Sequence, residues 1–232
     1  MRYFSQYNQD MFIDFFFNKK ENGVFLDIGA HDGISFSNTF FFEKERNWDG
    51  ICIEPIPSVF DKLRNNRNCI VENCCILDKE GSITFREVVG PDMLSGIIDF
   101  FDNAHLQRIE REIKEYPNGG YRDISISAVN INNLLAKNNY FDIDYCSIDT
   151  EGVELQIIKS IDFERFNIKS FSIENNNNDN AVRTYLIEHG YICIPSIIDD
   201  FFIKQNSLRI SKVKFLISSY RTLHKIKGRL FH

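Results

Sequence analysis

Val24-Phe25-Leu26-Asp27-Ile28-Gly29-Ala30-His31-Asp32-Gly33 decides the fold of this chain. An apolar run leads into Asp-x-Gly-x-x-x-Gly, the pattern of a buried strand that breaks into a glycine turn and then a helix. Glycines at 29 and 33 would let the backbone approach a ligand that a Cβ would hold away, with helix N-terminal amides beside it. About 20 residues later a second apolar run, Ile51-Cys52-Ile53, ends in the acid Glu54, which could accept both hydroxyls of a ribose. Open α/β sheets hold nucleosides in this way, at the carboxyl ends of adjacent strands.

The turn also bears on which nucleoside. A nicotinamide dinucleotide calls for Gly-x-Gly-x-x-Gly, whose second glycine makes room for a pyrophosphate. Here that slot holds His31, and Asp27 stands just before the turn. Both disfavour an anionic pyrophosphate. S-adenosylmethionine carries an ammonium and a sulfonium and no phosphate, so an acid at 27 attracts it.

Strands are predicted over residues 24–28, 51–54, 69–76, 83–88, 123–128, 144–148, 170–174, 191–195 and 201–204. Helices are predicted over 8–17, 37–46, 57–66, 99–115, 130–137, 153–160 and 180–189. This alternation implies an α/β fold with a mainly parallel sheet and helices on both faces. Too few residues separate the last two strands for a crossover helix, so the final strand should be antiparallel. Residues 89–121 interrupt the alternation and are expected to form a lid or substrate wall. Within them Ile98, Phe101, His105, Ile109 and Ile113 share one helical face.

In order along the chain, several segments resemble the FkbM-type S-adenosylmethionine-dependent methyltransferases. They are Ser5-Gln6-Tyr7-Asn8-Gln9-Asp10, Asp27 to Gly33, Ser37-Asn38-Thr39, Gly50 to Pro57, Met93 to Ile97, Asp149-Thr150-Glu151-Gly152-Val153-Glu154 and Ser172 to Asn176. The likeness runs over about residues 3–205. It implies a Rossmann-like seven-stranded sheet and O-methylation of a sugar or another hydroxyl-bearing acceptor. It also implies a cofactor site made by Gln6, Asp27, Gly29, Ala30, His31, Gly33, Asn38, Thr39, Glu54, Pro55 and Asp149. One departure is Asn8, in a slot where the family pattern has glycine.

Methyl transfer to an unactivated hydroxyl requires alignment and a means of removing a proton. Asp149 is expected at the end of the fourth strand of this fold, with Glu174 and Asn175 at the end of the fifth. Catechol-type O-methyltransferases hold magnesium with a similar set, so Asp149, Glu174 and Asn175 are expected metal ligands for magnesium or manganese. The metal-free alternative makes Asp149, Glu151 or His105 the catalytic base, and Glu174 is expected among the catalytic residues beside them. Glu151 and Glu154 also read as first-turn acids favoured by a helix dipole.

The chain has 232 residues, a net charge of −6 and six cysteines, enough for one domain with a full core and no disulfides. The cysteines fall in apolar runs without metal-site spacing and read as buried thiols in a reducing compartment. Neighbours on a strand face opposite ways, so Cys74 and Cys75 should not serve one site. Residues 1–207 are expected to form the methyltransferase domain, and 208–232 a basic helix or tail. Eight Lys and Arg and no acid follow Asp200, so the body is acidic, which argues against nucleic acid as a partner. The tail suits either an anionic membrane surface or packing on the domain. Without a signal peptide or spanning segment, a cytoplasmic location is expected, with the inner membrane surface as an option. Two rival functions stay open: an NAD-dependent sugar-modifying enzyme and a non-catalytic methyltransferase-like module.

Overall fold

The structure, a computed structural model, describes residues 2–175, 180–195 and 199–205. The basic tail therefore lies outside the described residues, as does Asn176. The first half of the chain forms α1 (Gln9–Phe16), β1 (Val24–Ile28), α2 (Phe40–Arg46), β2 (Asp49–Ile53), α3 (Pro57–Asn66), β3 (Ile70–Glu72), β4 (Cys75–Leu77), β5 (Gly81–Val89), β6 (Gly96–Ile97) and α4 (Asn103–Glu112). It continues with β7 (Gly120–Asn130), α5 (Ile131–Lys137), β8 (Asp142–Ile143), β9 (Tyr145–Ile148), α6 (Glu154–Ser160), β10 (Asn167–Ile168), β11 (Ser170–Glu174), α7 (Ala181–Glu188), β12 (Tyr191–Pro195) and β13 (Asp199–Lys204).

Seven strands build the main sheet in the order β12-β13-β11-β9-β1-β2-β3. All its pairings are parallel except those of β13, which runs against both β11 and β12. Strand residues alternate between two apolar layers, as the two-residue period of a strand requires. Phe25, Cys52, Tyr145 and Phe201 face one layer, with Phe12 and Phe16 of α1 and Phe41 and Phe42 of α2. Leu26, Ile51, Cys146 and Phe202 face the other, with Leu134 of α5, Ile157 of α6 and Leu186 of α7. Both faces of the sheet are thus covered by helices.

Residues 83–88 and 123–128 do not enter this sheet. They lie in β5 and β7, which pair antiparallel from Gly81↔Ala128 to Val89↔Gly120 in a second sheet ordered β4-β7-β5-β6. The expected strand over 69–76 is likewise two strands. It breaks at Asn73, whose side-chain amide donates to the carbonyls of Glu54 and Pro55, so β3 ends the main sheet and β4 starts the second. Residues 89–121 are the long connection between the arms of the β5–β7 pair, with α4 in its middle. The helix expected over 99–115 is α4 flanked by 3-10 turns at Ile98–Phe100 and Ile113–Glu115. Asn8, the departure from the family pattern, has φ 64°. It adopts the left-handed conformation that a glycine there would supply, which asparagine tolerates better than most residues.

Candidate active site

Gly29, Glu54, Asp149 and Glu174 stand at or just past the carboxyl ends of β1, β2, β9 and β11. The sheet order reverses at β1, the place where open α/β sheets bind ligands. A cleft of about 250 Å³ opens there. Of the expected cofactor residues it is lined by Gln6, Asp27, Gly29, Ala30, His31, Asn38, Glu54, Pro55 and Asp149, and of the catalytic ones by Glu151 and Glu174 as well. The N-terminal segment reaches the cleft because Asp10 accepts from the Phe4 and Ser5 amides and the Ser5 hydroxyl, folding residues 4–9 back over α1.

The turn after β1 works differently from the expectation. The amides of Gly29 and Ala30 both donate to the Ile53 carbonyl, at 3.0 Å each, which locks the turn to the end of β2. Gly29 has φ +86°, and a Cβ there would lie 1.9 Å from the Asp149 carbonyl oxygen. Its small size therefore serves the approach of β1 to β9, not the approach of a ligand. Gly33 is not part of the cleft wall; a Cβ there would meet Leu63 and Arg67. No helix follows directly either, since residues 31–39 are turns and α2 starts at Phe40.

Asp27 is buried, and its Oδ2 accepts from the Thr39 hydroxyl at 2.6 Å. Thr39 in turn accepts from the Arg67 guanidinium at 3.1 Å. Thr39 therefore positions Asp27 and does not line the cleft. Burial raises the Asp27 carboxyl, and the Arg67 charge pulls it back down. Arg67 is itself buried and bonds to Glu43 at 2.6 Å. The sequence reading missed it, because no periodicity marks an arginine after a helix as internal. Asn38 donates to the Ser147 hydroxyl at 2.9 Å, and its buried Oδ1 has no hydrogen-bond partner among the described residues.

Glu54 is held at both oxygens, by the His31 amide at 3.0 Å and the Ile56 amide at 2.8 Å. Burial lifts its carboxyl to about 7 against the pull of those bonds. Asp149 lines the cleft and is exposed to it. Desolvation by the surrounding protein, and then the nearby carboxyls of Glu174 and Asp199, push its carboxyl well up.

Asp199, another missed residue, lines the same cleft. It lies opposite Glu174 in the β11–β13 register and accepts from the buried Gln9 amide at 2.7 Å. Five carboxyls, of Asp27, Glu54, Asp149, Glu174 and Asp199, thus converge on one cleft from five strands.

Asn175, the third expected metal ligand, follows Glu174 at the end of β11 and is not among the residues lining the cleft. Its amide donates to Asp200 at 2.7 Å, within a network in which Arg183 also binds Asp200. Among the described residues no group of three or more His, Cys, Asp or Glu is arranged to hold a metal ion. Cys74 and Cys75, in contrast, both line the cleft, because Cys74 sits in the break before β4 and not within a strand.

Glu151 is half-buried and raised to about 7 by burial, with Arg108 opposing. His105 lies outside the cleft lining, but its Nδ1 is 3.7 Å from Glu151 and its Nε2 is 2.9 Å from the Leu94 carbonyl. Glu154 takes the role of a first-turn acid, accepting from the Gly152 amide and the Thr150 hydroxyl.

Fold and cleft together define a Rossmann-like α/β protein with an acid-lined cleft at the switch point of its sheet. Its residues 27–193 match the family model of the methyltransferase FkbM domain, and the chain belongs to that family. No curated protein matches it. Solved structures to which it is similar include a precorrin-6y C5,15-methyltransferase from Geobacter metallireducens GS-15, at 12% identity and TM-score 0.40, covering 85% of this chain and 87% of that one. Others are M. capricolum TrmK in complex with S-adenosyl-homocysteine (12%, 0.41, 87% and 68%) and a methyltransferase from Pyrococcus furiosus (13%, 0.41, 84% and 80%). Among the described residues no helix is long and apolar enough to cross a membrane.

Proposed function

We propose that the protein is an S-adenosylmethionine-dependent O-methyltransferase acting on a hydroxyl of a sugar, in a glycan or glycolipid. The observation that carries the reading is the convergence of the five carboxyls on one cleft. A cluster of acids creates a negative potential that favours a sulfonium and an ammonium and repels a pyrophosphate. The unpartnered Asn38 Oδ1 is an acceptor waiting for a donor, and an ammonium supplies one. Glu54, fixed by two amides, presents its remaining lone pairs to ribose hydroxyls. Ile76, Phe85 and Ile97 offer an apolar wall to a base.

When bound, the cofactor supplies an electrophilic methyl group. The protein's own task is then to orient the acceptor and take its proton. Glu151 suits that task better than its neighbours. Glu54 and Glu154 are each tied by two hydrogen bonds, and Asp149 is pushed up by Glu174 beside it. Glu151 lines the cleft with the His105 ring 3.7 Å from its carboxylate and the Arg108 charge acting on it. Residues 89–121 form the wall on the acceptor side, through Asp92 to Ile97 in the cleft and α4 beyond it. Calorimetry with S-adenosylmethionine, S-adenosylhomocysteine and NAD tests the reading. Binding of the first two and not of NAD is the expected result; tight binding of NAD alone overturns it.

A further inference from the structure

Next to the donor cleft lies a second cavity of about 220 Å³, lined by Phe100, Phe101, Ala104, His105, Arg108 and Glu151, with Asp102 and Gly152 at its edge. Glu151 lines both cavities. Whatever occupies the second cavity is therefore one side chain away from the reacting end of the first.

The lining has a definite chemistry. Phe101 packs on the His105 ring with centroids 4.3 Å apart and planes tilted by 39°, so the Phe101 ring contributes an aromatic wall. Around it stand hydrogen-bonding groups of both kinds: the Arg108 guanidinium as donor, Glu151 and Asp102 as acceptors. Arg108 is tied to Glu112 at 2.9 Å through Nε, and Asp102 caps α4 by accepting from the His105 amide. The frame is thus held by its own contacts before any ligand arrives. The lining carries two carboxyls and one guanidinium, of which Asp102 is engaged by the α4 amide and Arg108 by Glu112. An aromatic face beside donors and acceptors fits a ring with one C–H face and a rim of hydroxyls.

We propose that this second cavity is the acceptor subsite, and that it takes a neutral saccharide ring lying against Phe101 with one hydroxyl directed to Glu151. The proposal rests on the reading of the first cleft as the donor site. It adds Phe101, Arg108 and the cavity itself, which that reading does not use.

The test uses the full chain. Methyl α-D-glucopyranoside, methyl α-D-galactopyranoside and methyl α-L-rhamnopyranoside are titrated with and without S-adenosylhomocysteine, while NMR follows the His105 ring and the Ala104 methyl. At least one glycoside should move both signals saturably. Phe101→Ala should weaken that binding about tenfold or more, and Phe101→Tyr should restore it. Should Phe101→Ala fail to fold, Arg108→Gln on the exposed side of α4 should weaken binding about threefold or more, with the melting temperature unchanged. The proposal is overturned if no glycoside moves these signals up to about 100 mM, or if Phe101→Ala and Arg108→Gln both leave the affinity as it was. S-adenosylhomocysteine affinity, read in the same samples, separates the two readings. Absence of glycoside binding in wild type, with the nucleoside still bound, refutes the subsite alone. Glycoside binding in wild type without any nucleoside binding refutes the methyltransferase reading and leaves a saccharide site.

Discussion

The His31 amide donates to Glu54 Oε2 at 3.0 Å, so the turn that ends β1 and the acid that ends β2 are one unit. The second Glu54 oxygen is held by the Ile56 amide at 2.8 Å. Both ends of the nucleoside-binding pattern are thereby set relative to each other before a ligand binds. Such preorganisation lowers the ordering cost of binding.

Glu54→Ala should weaken S-adenosylmethionine binding about tenfold or more, because charge-assisted bonds to the ribose are lost. The change also leaves the His31 and Ile56 amides without their partner, at a cost of about 1–3 kcal/mol in stability. Calorimetry and a denaturant melt check the two effects separately. Unchanged affinity in a folded variant would remove Glu54 from the site.

The Glu54 carboxyl is raised from 4.5 to about 7 by burial. Ribose hydroxyls are best accepted by its charged form. Cofactor affinity should therefore climb as pH rises through about 7 and level off above it, and Glu54→Gln should flatten the profile. Stability of the ligand-free protein runs the other way. Between pH 4.5 and 7 the native state holds a proton that the unfolded chain releases, so stability falls across that window. For Glu54 the fall is at most about 3 kcal/mol, and Asp27, Asp149 and Asp199, also raised, add to it. A melting series from pH 4.5 to 8 reads the slope.

On the proposed reading, in which Glu54 holds the ribose, Asp149→Ala should abolish methyl transfer while changing S-adenosylhomocysteine affinity only a few-fold. Asp149→Asn keeps a donor to Glu174 and should fold as well as wild type. Transfer assays in excess chelator test the metal directly. Activity that survives chelation leaves the proton with a carboxylate. Activity that is lost and returns with magnesium or manganese assigns a metal to Asp149 and Glu174.

Gly29→Ala should destabilise the protein by about 3 kcal/mol or more. The residue sits at φ +86°, and the new Cβ meets backbone 1.9 Å away, which no rotamer change relieves. Arg67→Ala should cost a similar amount, about 3–5 kcal/mol, because Glu43 loses its buried partner and Asp27 its nearest positive charge. Thermal melts of both variants decide this, and a loss below about 1 kcal/mol in either contradicts the packing described.

Local pattern carries far in this chain. The strand periods of Val24–Ile28 and Asp49–Ile53, the glycine turn and the acid after it depend on residues within a few positions of one another. They placed Asp27, Glu54, Asp149 and Glu174 at strand ends, where the structure has them. The antiparallel final strand was legible for the same reason, since a short connection allows only a hairpin.

Contacts between distant segments were not legible. Asp199 enters the cleft only because β13 slots beside β11 in the register that sets it against Glu174. Asn175 donates its amide to Asp200, one residue further along β13. Gly29 is required by the Asp149 carbonyl, 120 positions away in the chain, and residues 83–88 joined a second sheet by pairing with β7. What the sequence determined by itself was most of the strands and helices of the main sheet and which acids stand near their ends, because side-chain periodicity is a property of near neighbours. The tertiary structure alone decided which of those acids lie beside one another, which are tied to amides and which face a cavity. Register and close approach depend on the packing of the whole sheet, which no local stretch encodes.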